Sequence, residues 1–333
     1  MKIDVFTHII PQKVVDFLLK KGTIDPSITV QTKTVRTLYD LEFRFRIMDK
    51  FDDLVQVITL GGLSIESTVV PKDAVELARL ANDEMAKLLI KYPDRFVGAI
   101  AALPMNDIDA TLKETDRAIK DLKFRGVEIF SDISGEPLDS PKFRPLYEKM
   151  ADYNLPIWIH PTKLPCEPDY PGEESSKYQA CMVFSWPYQT TLAMNRLVYS
   201  GILEDYPNIK FITHHCGGMV PFCARRIAGM YDYNQVLFNG SAFDRILKKP
   251  PTEYFRQFYG DTVTWGDVPA LMSGYSFFGA DHILFGTDMP YDSQFGLRQT
   301  RETIRAIERM EITETDKAKI FEGNARELLR LPV

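Results

Sequence analysis

The sequence predicts a single α/β domain over residues 1–333: a (β/α)₈ TIM-type barrel with an inserted loop after the first strand and a helical C-terminal tail. Three observations carry that expectation. Eight short apolar runs alternate with helical segments along the chain, the order that builds a parallel sheet with right-handed crossovers. Four of the five histidines fall at carboxyl ends of those runs, where a barrel gathers its functional groups. No GxGxxG follows any run, which disfavours the runner-up, a doubly wound open sheet.

The first strand is Lys2 to Phe6, and alternation would put Asp4, Phe6 and His8 on one face. Pro11 opens a helix that Gly22 closes. Residues 23–43 show no clear period and are expected to form the inserted loop. Arg44 to Phe51 reads as helical, and Leu54 to Leu60 as the second strand, ended by Gly61 and Gly62. Pro71 to Tyr92 is the clearest helix, with Leu77, Ala81, Met85, Leu88 and Leu89 on one face. Phe96 to Leu103 is the third strand, stopped by Pro104. A helix over Asp107–Leu122 precedes the fourth, Val127–Phe130. A helix over Pro141–Tyr153 precedes the fifth, Pro156–His160.

Residues 161–188 are rich in Pro, Gly, Glu and Ser, and a loop of that length in a compact domain is commonly functional. Thr190 to Leu203 reads as a helix. The sixth strand starts at Ile209, in IKFITHHCGG. That apolar run has the character of a buried parallel strand, and its glycines allow a sharp turn and close approach to the backbone. A helix over Pro221–Tyr233 follows, then a stretch without signal at 234–252. Phe258–Val263 is the seventh strand, Val268–Phe278 a helix, and His282–Phe285 the eighth strand, ending in GTD. The tail from Glu302 to Leu331 is helical.

Composition narrows the function. Hydrophobic content is 45% and charged content 26%, as in ordinary globular proteins. Net charge is −6 with no basic tract, which argues against sequence-independent nucleic-acid binding. No apolar run approaches the roughly 20 residues of a transmembrane helix. The N-terminal residues lack a signal-peptide layout. The four cysteines make no CxxC pair and are expected to be reduced thiols of a cytoplasmic protein.

At the strand ends stand His8, His160, His214 or His215, and Asp288. Any one of these histidines alone is as readily a packed core residue, and Asp288 alone a turn residue in GTDMP. Their coincidence at one barrel mouth points to a shared pocket. Imidazoles plus a carboxylate suit a divalent metal such as zinc or manganese, which lowers the pKa of bound water or polarises a substrate carboxylate. Adjacent strand residues face opposite sides, so only one of His214 and His215 is expected to face inward.

The chain resembles the amidohydrolase superfamily, in particular the branch around aminocarboxymuconate semialdehyde decarboxylase. The resemblance rests on KIDVFTHIIP, RFRIMDKF, YPDRFVGAIAALP, WIHP, QTTLAMNRLVYSGILEDYPNIKF, HCGGMVPFCARRI, ILFGTDMPYD and GNARELL, nearly end to end. It implies one divalent metal held by His8, His160 and Asp288. It implies that His215, which fills the HxGG pattern, is the catalytic acid/base, with Asp288 beside it, and His214 then points outward to the helices. Zinc is the first expectation for the metal, with manganese or magnesium as alternatives. The family's first strand usually carries His-x-His, and here Phe6 replaces the first imidazole. Strand four offers no lysine for a binuclear site.

The resemblance aligns Arg226 with a recurrent arginine after HCGG. Arg44 is a second candidate for a substrate carboxylate, with Arg36 and Arg46 nearby, and Trp186 could wall the pocket. Arginine pairs with carboxylates through its planar fork, although solvated salt bridges and core packing explain such residues equally well. The activity implied is non-oxidative decarboxylation of a small aromatic or unsaturated carboxylic acid. The alternatives are a hydrolase or hydratase on the same scaffold and a non-catalytic barrel whose metal site has decayed. A homodimer is expected from the same resemblance.

Overall fold

The computed structural model describes all residues except 24–25, 63, 240, 242, 244 and 333; the side chains of 26–28 are also outside the described set. Eight parallel strand segments follow one another in chain order. They are β1 (Lys2–Ile9), β2 (Leu54–Leu60), β3 (Phe96–Ala99, continued by Ala101–Ala102), β4 (Val127–Phe130), β5 (Ile157–His160), β6 (Phe211–Thr213), β7 (Tyr259–Asp261) and β8 (Ile283–Leu284). β1, β2 and the first part of β3 pair in one sheet, and the second part of β3 pairs onward through β4, β5, β6, β7 and β8. Backbone bonds join the two sheets on both sides. Ile100 N–H donates to Ile58 O at 3.0 Å, while Val5 N–H donates to Phe285 O at 2.9 Å and Asp288 N–H to Phe6 O at 3.0 Å. The chain leaving β8 thus returns to β1.

The outer helices include α1 (Gln12–Lys21), α2 (Pro26–Thr34), α3 (Leu41–Met48), α4 (Pro71–Lys91), α5 (Ile108–Lys120), α6 (Arg144–Tyr153), α7 (Trp186–Tyr199), α8 (Val220–Phe238), α9 (Val268–Phe278), α10 (Leu297–Arg309) and α11 (Asn324–Leu329). Local chemistry sets several starts. Asp40, Asp107 and Asp267 each cap a helix by accepting a backbone N–H three residues on. The segment expected as an aperiodic loop at 23–43 instead contains α2 and a 3₁₀ turn at Arg36–Leu38. Its side chains pack on the barrel through Leu38, so tertiary contact supplies what periodicity did not show. The helical tail consists of α10, a short helix at Glu314–Ala318, a π turn at Lys319–Gly323 and α11.

Inside the strands the pleat separates two layers. Ile3, Val5, Val55, Val57, Ile100, Trp158, Ile212 and Leu284 pack with Ala325, Leu328 and Leu329 of α11 as one apolar cluster. This is the barrel floor, closed by the last helix. Register aligns Glu128, Trp158 and Ile212 across β4, β5 and β6. Two residues further along, Phe130 and His160 are aligned. Apart from Glu128, the polar groups of these strands therefore begin one pleat above the floor.

β1 departs from simple alternation. Its register with β2 shifts between Asp4 and Thr7, so Asp4 lies beside Gln56 but His8 beside Thr59. Gln56 and Thr59 are an odd number of residues apart and face opposite sides. Asp4 is thus on the other face from His8, against the expected shared face. It bonds Thr287 through both N–H and hydroxyl, at 2.9 and 2.5 Å.

Candidate metal centre and active site

His8 is fully buried and held at both nitrogens. Nδ1 is 2.9 Å from Thr59 Oγ1, and Nε2 is 3.1 Å from Asp288 Oδ1. His160 Nδ1 donates to Pro161 O at 2.7 Å, which leaves Nε2 as the free lone pair. The His160 ring lies 5.5 Å from the ring of His8 and 5.4 Å from that of His214. Trp186, at the start of α7, is anchored by Nε1–H to Lys163 O at 2.8 Å. Its ring is 6.2 Å from both His160 and His215, which makes it a wall of this pocket.

The expected outward facing of His214 is corrected. Its ring stacks on Phe6 at 3.9 Å, Nδ1 bonds the Asp261 carboxylate, and Nε2 lies 3.5 Å from Asp288 Oδ1. The pleat explains it, because His214 continues the inward series of Ile212. The strand itself ends at Thr213. His215 then enters a run of left-handed residues, with φ of 55°, 54°, 76° and 59° at His215, Cys216, Gly217 and Gly218. That turn brings the second imidazole to the same pocket, with ring centroids 4.0 Å apart. The glycines are needed for space as well as φ. A Cβ at Gly217 would meet the Phe278 ring at 2.6 Å, and one at Gly218 would meet Pro187 O at 2.3 Å.

The two arginines are placed elsewhere. Arg44 is fully buried on the outer face of the β1–β2 pair. Nε donates to Gln56 Oε1 at 2.8 Å, and Nη1 donates to the carbonyls of His8 and Thr37 at 2.7 and 3.1 Å. It fixes the backbone of β1 and is not available to a substrate. Arg226 is exposed on α8 and lines an outer groove with Asp139, Tyr199 and Phe243, away from the pocket of the histidines. Both differ from the sequence expectation because chain proximity to a motif does not fix side-chain direction.

Electrostatics divide the cluster. Burial alone would raise the Asp288 carboxyl, but His214 and His8 outweigh it and hold the group well below the usual carboxylate range. Burial also works against the His214 cation, yet Asp261 and Asp288 lift it to about 10. Burial, then His214 and His8, push His160 down to about 3. Burial and His214 push His215 well below its ordinary value. Glu128, one pleat below, is raised to about 8 by burial.

The donor chemistry fits a divalent cation. His215 Nδ1 is buried without a hydrogen-bond partner. Among the described residues, ligand atoms of His214, His215 and Asp288 lie within 4.8 Å of one another. His8 is in direct contact with Asp288, and His160 borders both His8 and His214. Two imidazoles and a carboxylate with open positions are a recognised cation environment. Asp261, Thr59, Glu128 and Tyr291, whose ring is 5.3 Å from His8, were not foreseen. Asp261 lies inside the expected seventh strand, Phe258–Val263, whereas the strand itself ends at Asp261, so its place at the mouth is not marked in the sequence.

With this geometry in hand, the family is plain. The amidohydrolase family profile matches residues 3–331, and the chain belongs to that family. It is 27% identical to 2-amino-3-carboxymuconate-6-semialdehyde decarboxylase of Dictyostelium discoideum, over 99% of this chain and 92% of that one. It is 28% identical to the gamma-resorcylate decarboxylase of a Rhizobium species, over 86% of each. Among solved structures, a dihydroxybenzoic acid decarboxylase of Polaromonas with bound manganese and the inhibitor 2-nitroresorcinol superimposes with a TM-score of 0.78. That match is at 25% identity and covers 99% of this chain and 96% of the other. The fold assignment agrees with the (β/α)₈ expectation. All four cysteines are free, and among the described residues no helix is long and apolar enough to cross a membrane.

Proposed function

We propose that the protein is a metal-dependent, non-oxidative decarboxylase of a small aromatic or unsaturated carboxylic acid. The observation that carries this reading is the convergence of four imidazoles and Asp288 on one buried pocket walled by Trp186. The pocket belongs to a chain similar along most of its length to the Dictyostelium and Rhizobium decarboxylases named above. When bound, the divalent ion holds and polarises the substrate's carboxylate or an adjacent oxygen. His215 moves the proton: neutral in the resting site, it takes up a proton from solvent as the substrate anion binds. The carbon–carbon bond breaks with its electron pair left on the ring or alkene carbon, carbon dioxide leaves, and that carbon takes the proton, which returns the imidazole to its neutral form. Trp186 covers the planar substrate and limits water. The donor set admits zinc or manganese, and manganese, present in the Polaromonas relative, is the ion with which to begin.

The test is carbon dioxide release from a panel of hydroxybenzoic and enoic acids by manganese-loaded protein. His215→Asn should then lower turnover by about 10²–10⁴-fold while protein folding is unchanged. No release from any member of the panel would sink the reading.

We further infer a homodimer. Its support is the apolar exposed face of α8, where Phe222 is 86% and Val236 78% exposed, more than a solvated helix ordinarily leaves open. Light scattering at micromolar concentration should give twice the chain mass, and a monomer would remove the inference.

A further inference from the structure

We infer that His214, set by Asp261, supplies the metal-ligating imidazole that β1 lacks at Phe6. The inference rests on the metal-dependent reading above and concerns which strand donates the ligand. Phe6 has no lone pair to offer, and its ring lies flat against His214, 3.9 Å away at 15°. The imidazole missing from β1 is thus matched by one on β6, layered directly on the replaced side chain.

Three further observations make His214 a ligand rather than filling. Its Nδ1 bonds the Asp261 carboxylate, so that nitrogen keeps its proton and Nε2 is the atom left for a cation, which would displace any proton there on binding. Asp261 is itself fixed, because its other oxygen accepts the N–H groups of Cys216 and Val263 at 2.9 and 3.0 Å. A carboxylate behind a histidine in this way orients the ring and strengthens it as a donor. Nε2 points at Asp288, 3.5 Å from Oδ1, a spacing at which one cation can take both atoms as ligands. Neighbouring strands β6 and β7 therefore build the donor and its support together.

A manganese titration of the full chain, read by loss of the free-ion electron paramagnetic resonance signal, tests this without any substrate. Wild-type protein should bind one ion. His214→Gln should weaken binding by more than about 100-fold, beyond the 10–100-fold typical for loss of a carboxylate support, which is what Asp261→Asn should cost. Adding Phe6→His to His214→Gln should recover affinity, since it returns an imidazole to the adjoining ring position. If His214→Gln binds manganese as tightly as wild type, the inference is overturned while the metal reading stands. Should that variant not fold, Asp261→Asn decides, and unchanged affinity there overturns the inference. Wild-type protein that binds no divalent ion would instead bring down the metal reading itself.

Discussion

The two ends of the barrel interior use the same strands for opposite purposes. At the floor, Trp158, Ile212 and Leu284 meet α11 in a dry cluster. Two residues further along β5 and β6 stand His160 and His214, and four beyond Leu284 stands Asp288. One step of the pleat converts stability into chemistry. Floor residues are held by apolar burial, which tolerates exchange among apolar side chains of equal size but not a change of volume. Mouth residues are held by directed bonds from Thr59, Asp261 and Pro161, so their chemistry is fixed more tightly than their volume.

The division is broken most directly from below. Leu284→Ala should destabilise the protein by about 2–5 kcal/mol, the usual cost of a cavity in a packed core. Manganese affinity should be unchanged, because Leu284 belongs to the floor. Chemical denaturation and the manganese titration run on one preparation check both halves. A variant that lost metal in proportion to stability would show that floor and mouth are one unit.

A smaller effect sharpens the boundary. Glu128 lies in register with Trp158, yet is polar and has an unpartnered Oε1. Burial raises it from 4.5 to about 8, so it stays neutral in the fold while the unfolded chain ionises. The folded state then holds a proton that the unfolded state has lost, and stability falls as pH rises from about 4.5 to about 8. Asp4 and Glu66, each raised to about 7 by burial, add in the same direction. Urea unfolding at pH 5 and pH 8 should show a smaller fall for Glu128→Gln than for wild type. Equal falls would mean that Glu128 is solvated.

Most of the fold was legible, because apolar runs and helical periods report burial locally. The strand-end residues His8, His160, His214, His215 and Asp288 were legible for the same reason. Two things were not. A bulge in β1 moved Asp4 to the other face, and a bulge leaves no mark in apolar alternation. The facing of His214 was misjudged because alternation was applied to both histidines, whereas β6 stops at Thr213 and His215 belongs to a turn. Arg44 and Arg226 failed differently: a cation near a motif says nothing about which side of a sheet or helix it occupies.

The run of left-handed residues after β6 has a consequence for how such sequences drift. A non-glycine residue there costs of order 1–3 kcal/mol, and His215 and Cys216 both sit in it. Positions 217 and 218 are locked by the ring of Phe278 and the carbonyl of Pro187, whatever the substrate is. Position 274 is locked in turn, since a Cβ there would meet Cys216 Sγ at 2.2 Å. Of the letters in HCGG, only the histidine records chemistry; the glycines record the shape of a backbone. A descendant could exchange one acid for another and still spell the motif, so its persistence dates the scaffold and not the reaction.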